Sequence, residues 1–213
     1  MKCTVDHIVY NCGDLEKGVD AVEKLTGVRA TMGGKHTNRG THNALLSLGE
    51  GAYLEIIAPD PSQPGIVPRS FRLYDERTHD ALSAFAVRPT DGSTIEELQA
   101  RLGAGPVVDM QRMKPDGTLL KWQMTPGPGT PGSSAGGVEP WIIDWKDAEH
   151  PSVSSPVGCK LVKLEIADPR GESIGPVLIG GMGLATPIDV CRVADDTTSI
   201  VAVIESPNGI VRL

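Results

Sequence analysis

The stretch GGKHTNRGTHNALLSLGEGAYLEIIAP, Gly33 to Pro59, decides how this chain is to be read. Ala44 to Leu48 and Ala52 to Ile57 are short apolar runs separated by the turn dipeptide Glu50-Gly51, the pattern of two neighbouring strands. Glu55 interrupts the second run. A carboxylate inside a buried strand is costly unless cations, donors or a metal satisfy it. Upstream, Cys3 to Tyr10 (CTVDHIVY) reads as another strand and carries a second exception, His7. With side chains alternating between the two faces of a strand, Val5, His7 and Val9 share one face, as do Tyr53, Glu55 and Ile57. A His and a Glu projecting from two separate strands suggest half of a metal site.

Working outward, Asp14 caps a helix with Leu15, Val19, Val22 and Leu25 on one face, and Gly27 ends it. A strand over Val28 to Met32 follows, so the first sixty residues form a βαβββ unit, residues 1–60. The polar segment GGKHTNRGTHN then reads as a loop before a strand. A proline-rich connection begins at Pro59, and His79 lies exposed in it. The pattern recurs over residues 80–147, with strands at Leu82–Arg88, Val107–Met113, Leu119–Thr125 and Trp141–Trp145. Ser93-Thr94-Ile95-Glu96 reads as a capping box opening its helix. Pro126 to Gly137 reads as a flexible Gly/Pro/Ser loop. A weaker third copy occupies residues 158–213, with a glycine-containing helix at Ile174–Met182 and strands at Lys160–Ala167, Ile188–Val193, Ile200–Glu205 and Ile210–Leu213.

The net charge of −7 disfavours a nucleic-acid surface, which needs clustered Lys and Arg. No apolar run approaches the roughly 18 residues of a membrane span. The four cysteines lack CxxC spacing and read as buried thiols. GGMGLA at Gly180 is not a dinucleotide fingerprint, and no GxxxxGK[ST], HExxH or GxSxG occurs. These features fit a cytoplasmic, soluble protein.

The segments DHIVYNCGDLEKGVDAVEKLTGV, GGKHTNRGTHNALLSLGEGAYLEII, FAVRP, MKPDGTLLKWQM, EPWIIDW and the HPS tripeptide at His150 resemble the glyoxalase-like domain of the vicinal oxygen chelate superfamily. The resemblance runs in order from about Val5 to the C-terminus. It implies an α+β fold in which tandem βαβββ modules pair into a U-shaped half-barrel, here with a third, degenerate unit. It also implies a divalent metal on the concave face, held by a His or Gln from a module's first strand and a Glu from its last. His7 and Glu55 stand at those positions. The second module departs from the pattern, with Ala84 where His7 would stand and Asp144 in unfixed register.

Mn, Fe, Co, Ni or Zn suits one imidazole and one carboxylate with open positions, and Glu55 is also the candidate catalytic carboxylate. His36, Thr41 and Asn43 are candidate substrate contacts from the polar loop, with His36 preferred to His42. Arg112 is a candidate receptor for an anionic group, Trp122 a candidate wall of the pocket, and His150 a loop or capping residue. Two functions follow: a metal-dependent lyase, isomerase or related enzyme on an oxygen-bearing metabolite, or a metal-free protein that sequesters a small molecule. The third unit is too apolar to stand alone. It is expected to pack on the first two modules, or on its copy in a homodimer, and to carry no metal at Lys163 and Arg212.

Overall fold

The computed structural model describes residues 2–49, 51–68, 80–125, 138–194 and 198–213. Its first unit is β1 (Cys3–Asn11), α1 (Leu15–Thr26), β2 (Thr31–His36), β3 (Thr41–Ser47) and β4 (Tyr53–Pro59). The second is β5 (Ala81–Pro89), α2 (Ile95–Leu102), β6 (Val108–Met113), β7 (Leu119–Thr125) and β8 (Trp141–Asp144). The third is β9 (Lys160–Asp168), α3 (Gly171–Pro176), β10 (Ile188–Arg192), β11 (Ser199–Ser206) and β12 (Gly209–Arg212). His79 and the segment 126–137 lie outside the described residues.

Local chemistry accounts for the helices. Asp14 accepts from Lys17 N at 3.0 Å, and Gly27 takes φ 79° to turn the chain out of α1. The capping box of α2 starts one residue later than the sequence suggested. Thr94 Oγ1 accepts from Glu97 N while Glu97 Oε2 accepts from Thr94 N, because the Ser93 hydroxyl is taken by Asp91. The expected helix over Ile174–Met182 is instead α3 followed by a wider π turn over Val177–Gly181. Pro176 and the glycines at 180 and 181 make a regular helix costly there.

The first two units close one eight-stranded barrel in the order β1-β4-β3-β2-β6-β7-β8-β5. In each unit the first strand runs parallel to the last, and β1 pairs antiparallel with β5 at the centre. The expected U is closed at its mouth by two pairs, Lys35 with Met113 and His36 with Arg112. The two glycines that open the quoted stretch explain this closure. Gly34 has φ 140°, and a Cβ there would collide with the carbonyl oxygen of Met113. A Cβ on Gly33 would occupy the seat of the Arg112 guanidinium. Only glycine lets these edges approach.

Two expectations about strand limits are corrected. β2 runs from Thr31 to His36 rather than Val28 to Met32, because Val28 bonds to the Thr26 hydroxyl at the end of α1. Only residues 37–40 form a loop, where Asn38 and Gly40 take positive φ. His36, Thr41 and Asn43 are therefore strand residues, not loop residues.

The third unit repeats the order of elements but not the pairing. Its first strand lies between β10, parallel, and β11, antiparallel, giving β10-β9-β11-β12. It stacks on the outer face of the barrel. Leu164, Ile166, Ala202 and Ile204 join Val5, Ile8, Leu54 and Phe85 in one continuous apolar core. Its cover is therefore found within the chain. Lys163 pairs with Glu165 and Asp189, and Arg212 with Glu165, so both are occupied in surface ion pairs.

Cys3, Cys12 and Cys159 are buried free thiols, whereas Cys191 is exposed. Burial pushes the Cys3 thiol up to about 11 and Cys12 up to about 12, which leaves both un-ionised and inert. Among the described residues no helix is long and apolar enough to cross a membrane.

Candidate functional site

The barrel interior holds an open cavity of about 40 Å³. Strand alternation divides each wall. On β4, Leu54 and Ile56 join the outer core, while Tyr53, Glu55 and Ile57 line the cavity. Glu55 is 5% exposed and is the one acidic side chain lining the cavity among the described residues.

A β-bulge sets the geometry of β1. Val5 pairs with Val87 and His7 with Ala86, so Asp6 is an extra residue. Val5 therefore joins the outer core, correcting the expected shared face of Val5, His7 and Val9. Bulges re-aim side chains in this way. Here the bulge puts Asp6 within reach of its neighbour's ring, and His7 Nδ1 lies 2.8 Å from Asp6 Oδ1. Asp6 thus holds the ring by Nδ1 and leaves Nε2 directed towards Glu55. That Nε2 lies 3.8 Å from Glu55 Oε2.

His36 is arranged alike. Its Nδ1 meets Thr41 Oγ1 at 2.9 Å, and its Nε2 lies 3.7 Å from Glu55 Oε1. Burial drives the His36 pKa down to about 4, with Arg112 and Arg39 adding to the fall and Glu55 opposing it. The ring is neutral at pH 7. Asn43 Nδ2 donates to Glu55 Oε1 at 2.6 Å, and Asn43 Oδ1 accepts from Arg112 Nη1 at 2.9 Å. One amide thus links the buried carboxylate to a buried guanidinium. Arg112 is 4% exposed, and burial lowers its pKa from the usual value.

The opposite wall is aromatic. Trp122, Trp141 and Trp145 line it, and the rings of Trp122 and Trp145 lie 5.3 Å apart. Tyr53 stacks on His7 at 4.8 Å, and its phenol is held well above the usual pKa by burial, Asp6 and Glu55. Trp122 Nε1 is buried and has no hydrogen-bond partner among the described residues.

Behind His7, Asp6 is fully buried. It accepts from Arg88 Nη1 at 2.8 Å and Trp145 Nε1 at 3.1 Å, and meets His150 Nε2 at 3.0 Å. Burial by itself would raise its pKa, but the bonds from His150 and His7 prevail and hold it well below the usual carboxylate range.

The structure thus brings His7, His36, Thr41, Asn43, Glu55, Arg112 and Trp122 to one cavity. It leaves out His42, and His150 serves Asp6 and a short 3-10 turn at Pro151–Val153. Asp144 faces away and pairs with Lys146. The sequence reading missed Asp6, Arg88 and Tyr53. The signal available was the adjacent polar pair Asp6-His7 in an apolar strand, which strict alternation cannot place on one side.

The donor chemistry at Glu55 suits a divalent cation. The Nε2 atoms of two imidazoles stand beside the two oxygens of one carboxylate at 3.8 and 3.7 Å, slightly beyond the roughly 3.3–3.6 Å between tetrahedral donors that share a metal at bonds of about 2.0–2.2 Å. The three side chains do not close a cage by themselves, and among the described residues no group of three or more His, Cys, Asp or Glu is arranged to hold a metal ion.

Comparison with known proteins gives the family. No curated protein matches the chain. A hypothetical protein from Staphylococcus aureus is similar in structure, with a TM-score of 0.62 and 13% identity over 99% of this chain and 84% of that one. Methylmalonyl-CoA epimerase from Mycobacterium tuberculosis gives a TM-score of 0.45 at 19% identity over 66% of this chain and 86% of its own. A methylmalonyl-CoA epimerase in complex with methylmalonyl-CoA and ammonium gives 0.46 at 16% identity over 71% and 100%. The model of the glyoxalase-like domain matches residues 5–176. With that match covering most of its length, the chain belongs to the glyoxalase-like domain family.

Proposed function

We propose that the protein is a divalent-cation-dependent enzyme acting on a small oxygen-bearing metabolite, with His7 and Glu55 as cation donors and His36 beside them. The observation that carries this reading is that the Nε2 atoms of His7 and His36 lie 3.8 and 3.7 Å from the two oxygens of one buried Glu55. Imidazole and carboxylate donors with positions left for substrate and water suit Mn, Fe, Co, Ni or Zn. When bound, such a cation takes neighbouring substrate oxygens and lowers the energy of negative charge developing on them.

The chain's own residues do the rest. Asp6 holds the His7 ring and Thr41 the His36 ring, so neither has to reorient on binding. Asn43 fixes the Glu55 carboxylate. As the acidic side chain of the cavity wall, Glu55 is also where a substrate proton would be received. Arg112 supplies fixed positive charge, and the tryptophans exclude water, which strengthens each of these interactions.

Metal analysis of protein purified without chelator tests the reading. About one ion per chain is expected, falling at least about tenfold in Glu55→Ala while circular dichroism shows an intact fold. Equal metal content in both proteins would refute it. A metal-free binding protein is the second reading, favoured by what the second unit brings to the interior: Ala84, Ala86, Trp141 and Ile143, none of them a ligand. It requires small-molecule binding to be unaffected by chelator.

A further inference from the structure

We infer that the second unit's half of the cavity is a receptor for a carboxylate joined to a flat apolar body about one ring across. This rests on the proposed small-molecule site and names the substrate class it takes. Three observations converge. Arg112 is 4% exposed, and its direct hydrogen bond among the described residues goes to a neutral amide oxygen, Asn43 Oδ1. A guanidinium has five N–H donors in a planar fork that matches a carboxylate. Most of that capacity is not used by the described residues. Trp122 supplies the second observation. It is 7% exposed, lines the same cavity, and its buried Nε1 has no partner among the described residues. A buried donor without an acceptor is destabilising, and a ligand oxygen would remove that cost.

The third observation is how the fold sets these groups. His36 pairs with Arg112 across the β2–β6 closure, and Arg112 pairs with Leu120 on β7, two residues from Trp122. Paired residues project to the same face, so the guanidinium, the indole and the His36 ring share one side. His36 and Trp122 meet edge to face at 6.2 Å. Gly33 keeps the guanidinium's seat open, since any Cβ there would displace it. The same cavity is lined by Trp145, Trp141, Ile143 and Met124, whose side chains are mostly apolar surface. An inorganic anion would leave that surface wet, whereas a flat apolar body covers it.

The electrostatics agree. The cavity wall carries Glu55 linked to Arg112 through Asn43, and Arg39 as a second guanidinium, so a divalent cation in the proposed site adds to positive charge that an anionic ligand offsets.

Calorimetric titration with benzoate, benzamide and acetate tests the inference, using protein as purified and protein treated with chelator. Benzoate should bind at least about tenfold more tightly than benzamide, which has the ring without the charge, and than acetate, which has the charge without the ring. Arg112→Gln should abolish the preference for benzoate over benzamide, and Trp122→Phe should weaken benzoate about threefold while leaving metal content unchanged. If Arg112→Gln fails to fold, the comparison of the three probes on wild-type protein decides the matter. Equal binding of benzoate and benzamide would overturn the inference. So would loss of the benzoate preference on chelation alone, since the carboxylate would then be reading the cation and not Arg112. Loss of metal binding with the preference intact would instead overturn the metal reading and leave this one standing.

Discussion

The two halves of the barrel have the same architecture and opposite chemistry. In the first, β1, β2 and β4 bring His7, His36 and Glu55 to the interior, each held by a neighbour. In the second, the corresponding wall presents three tryptophans, two alanines and one buried arginine. A duplicated unit would give a symmetric ligand set if both copies kept the same task. In the proposed reading one half coordinates and the other binds. The division shows why a single His and a single Glu were the only ligand signals in the sequence at the positions where symmetry allows four.

Asp6 is where the halves are tied together, so removing it should have the largest effect. It sits on β1 of the first half, yet Arg88 and Trp145 reach it from the second. Asp6→Ala strands a guanidinium, an indole N–H and His150, and should cost about 3–5 kcal/mol of stability by chemical denaturation. A loss under about 1 kcal/mol would show that the halves do not depend on this joint.

Acid should separate two contributions to stability. The His36 pKa falls from 6.5 in the unfolded chain to about 4 in the fold. Its contribution is therefore complete above about pH 6.5 and shrinks as pH falls towards 4, by roughly 3 kcal/mol in metal-free protein. Asp6 acts lower, because its folded pKa lies below the usual carboxylate value of 3.8. Its contribution is present above about pH 4 and disappears below. His36→Gln should flatten the upper window of a stability-versus-pH curve and Asp6→Asn the lower one. A wild-type curve that is level between pH 6.5 and 4 would contradict the buried, neutral His36.

A smaller effect is expected at the closure itself. Gly34→Ala places a side chain at φ 140° against the Met113 carbonyl, and should cost about 2 kcal/mol. Amide exchange should rise on β2 and β6 while β1 and β5 stay protected. Uniform change across the barrel would mean that the two halves cannot part at this edge.

Much of the scaffold was legible because it rests on local chemistry. The Asp14 cap, the Gly27 stop and the alternation through Tyr53-Leu54-Glu55-Ile56-Ile57 are readable residue by residue. His7 and Glu55 stood out as polar residues in apolar strands. What stayed hidden was set by pairing. The bulge at Asp6 shows only in the register of β1 against β5, and the closure of the barrel depends on two glycines whose partner strand is far along the chain. His36, Thr41 and Asn43 were right as residues but misplaced in a loop, because the GGKH segment lacks the β-branched content that marks a strand. The third unit had a readable element order, but pairing order is not encoded in element order, and its sheet belongs to the outer core.

The central claim, that the first half coordinates and the second half binds, is tested most directly by titrating Mn²⁺ into metal-free wild-type protein, Glu55→Gln and Arg112→Gln. The account predicts that Glu55→Gln weakens Mn²⁺ binding at least about tenfold and that Arg112→Gln, which removes a nearby positive charge, binds at least as tightly as wild type. Loss of Mn²⁺ binding in Arg112→Gln with none in Glu55→Gln would contradict it.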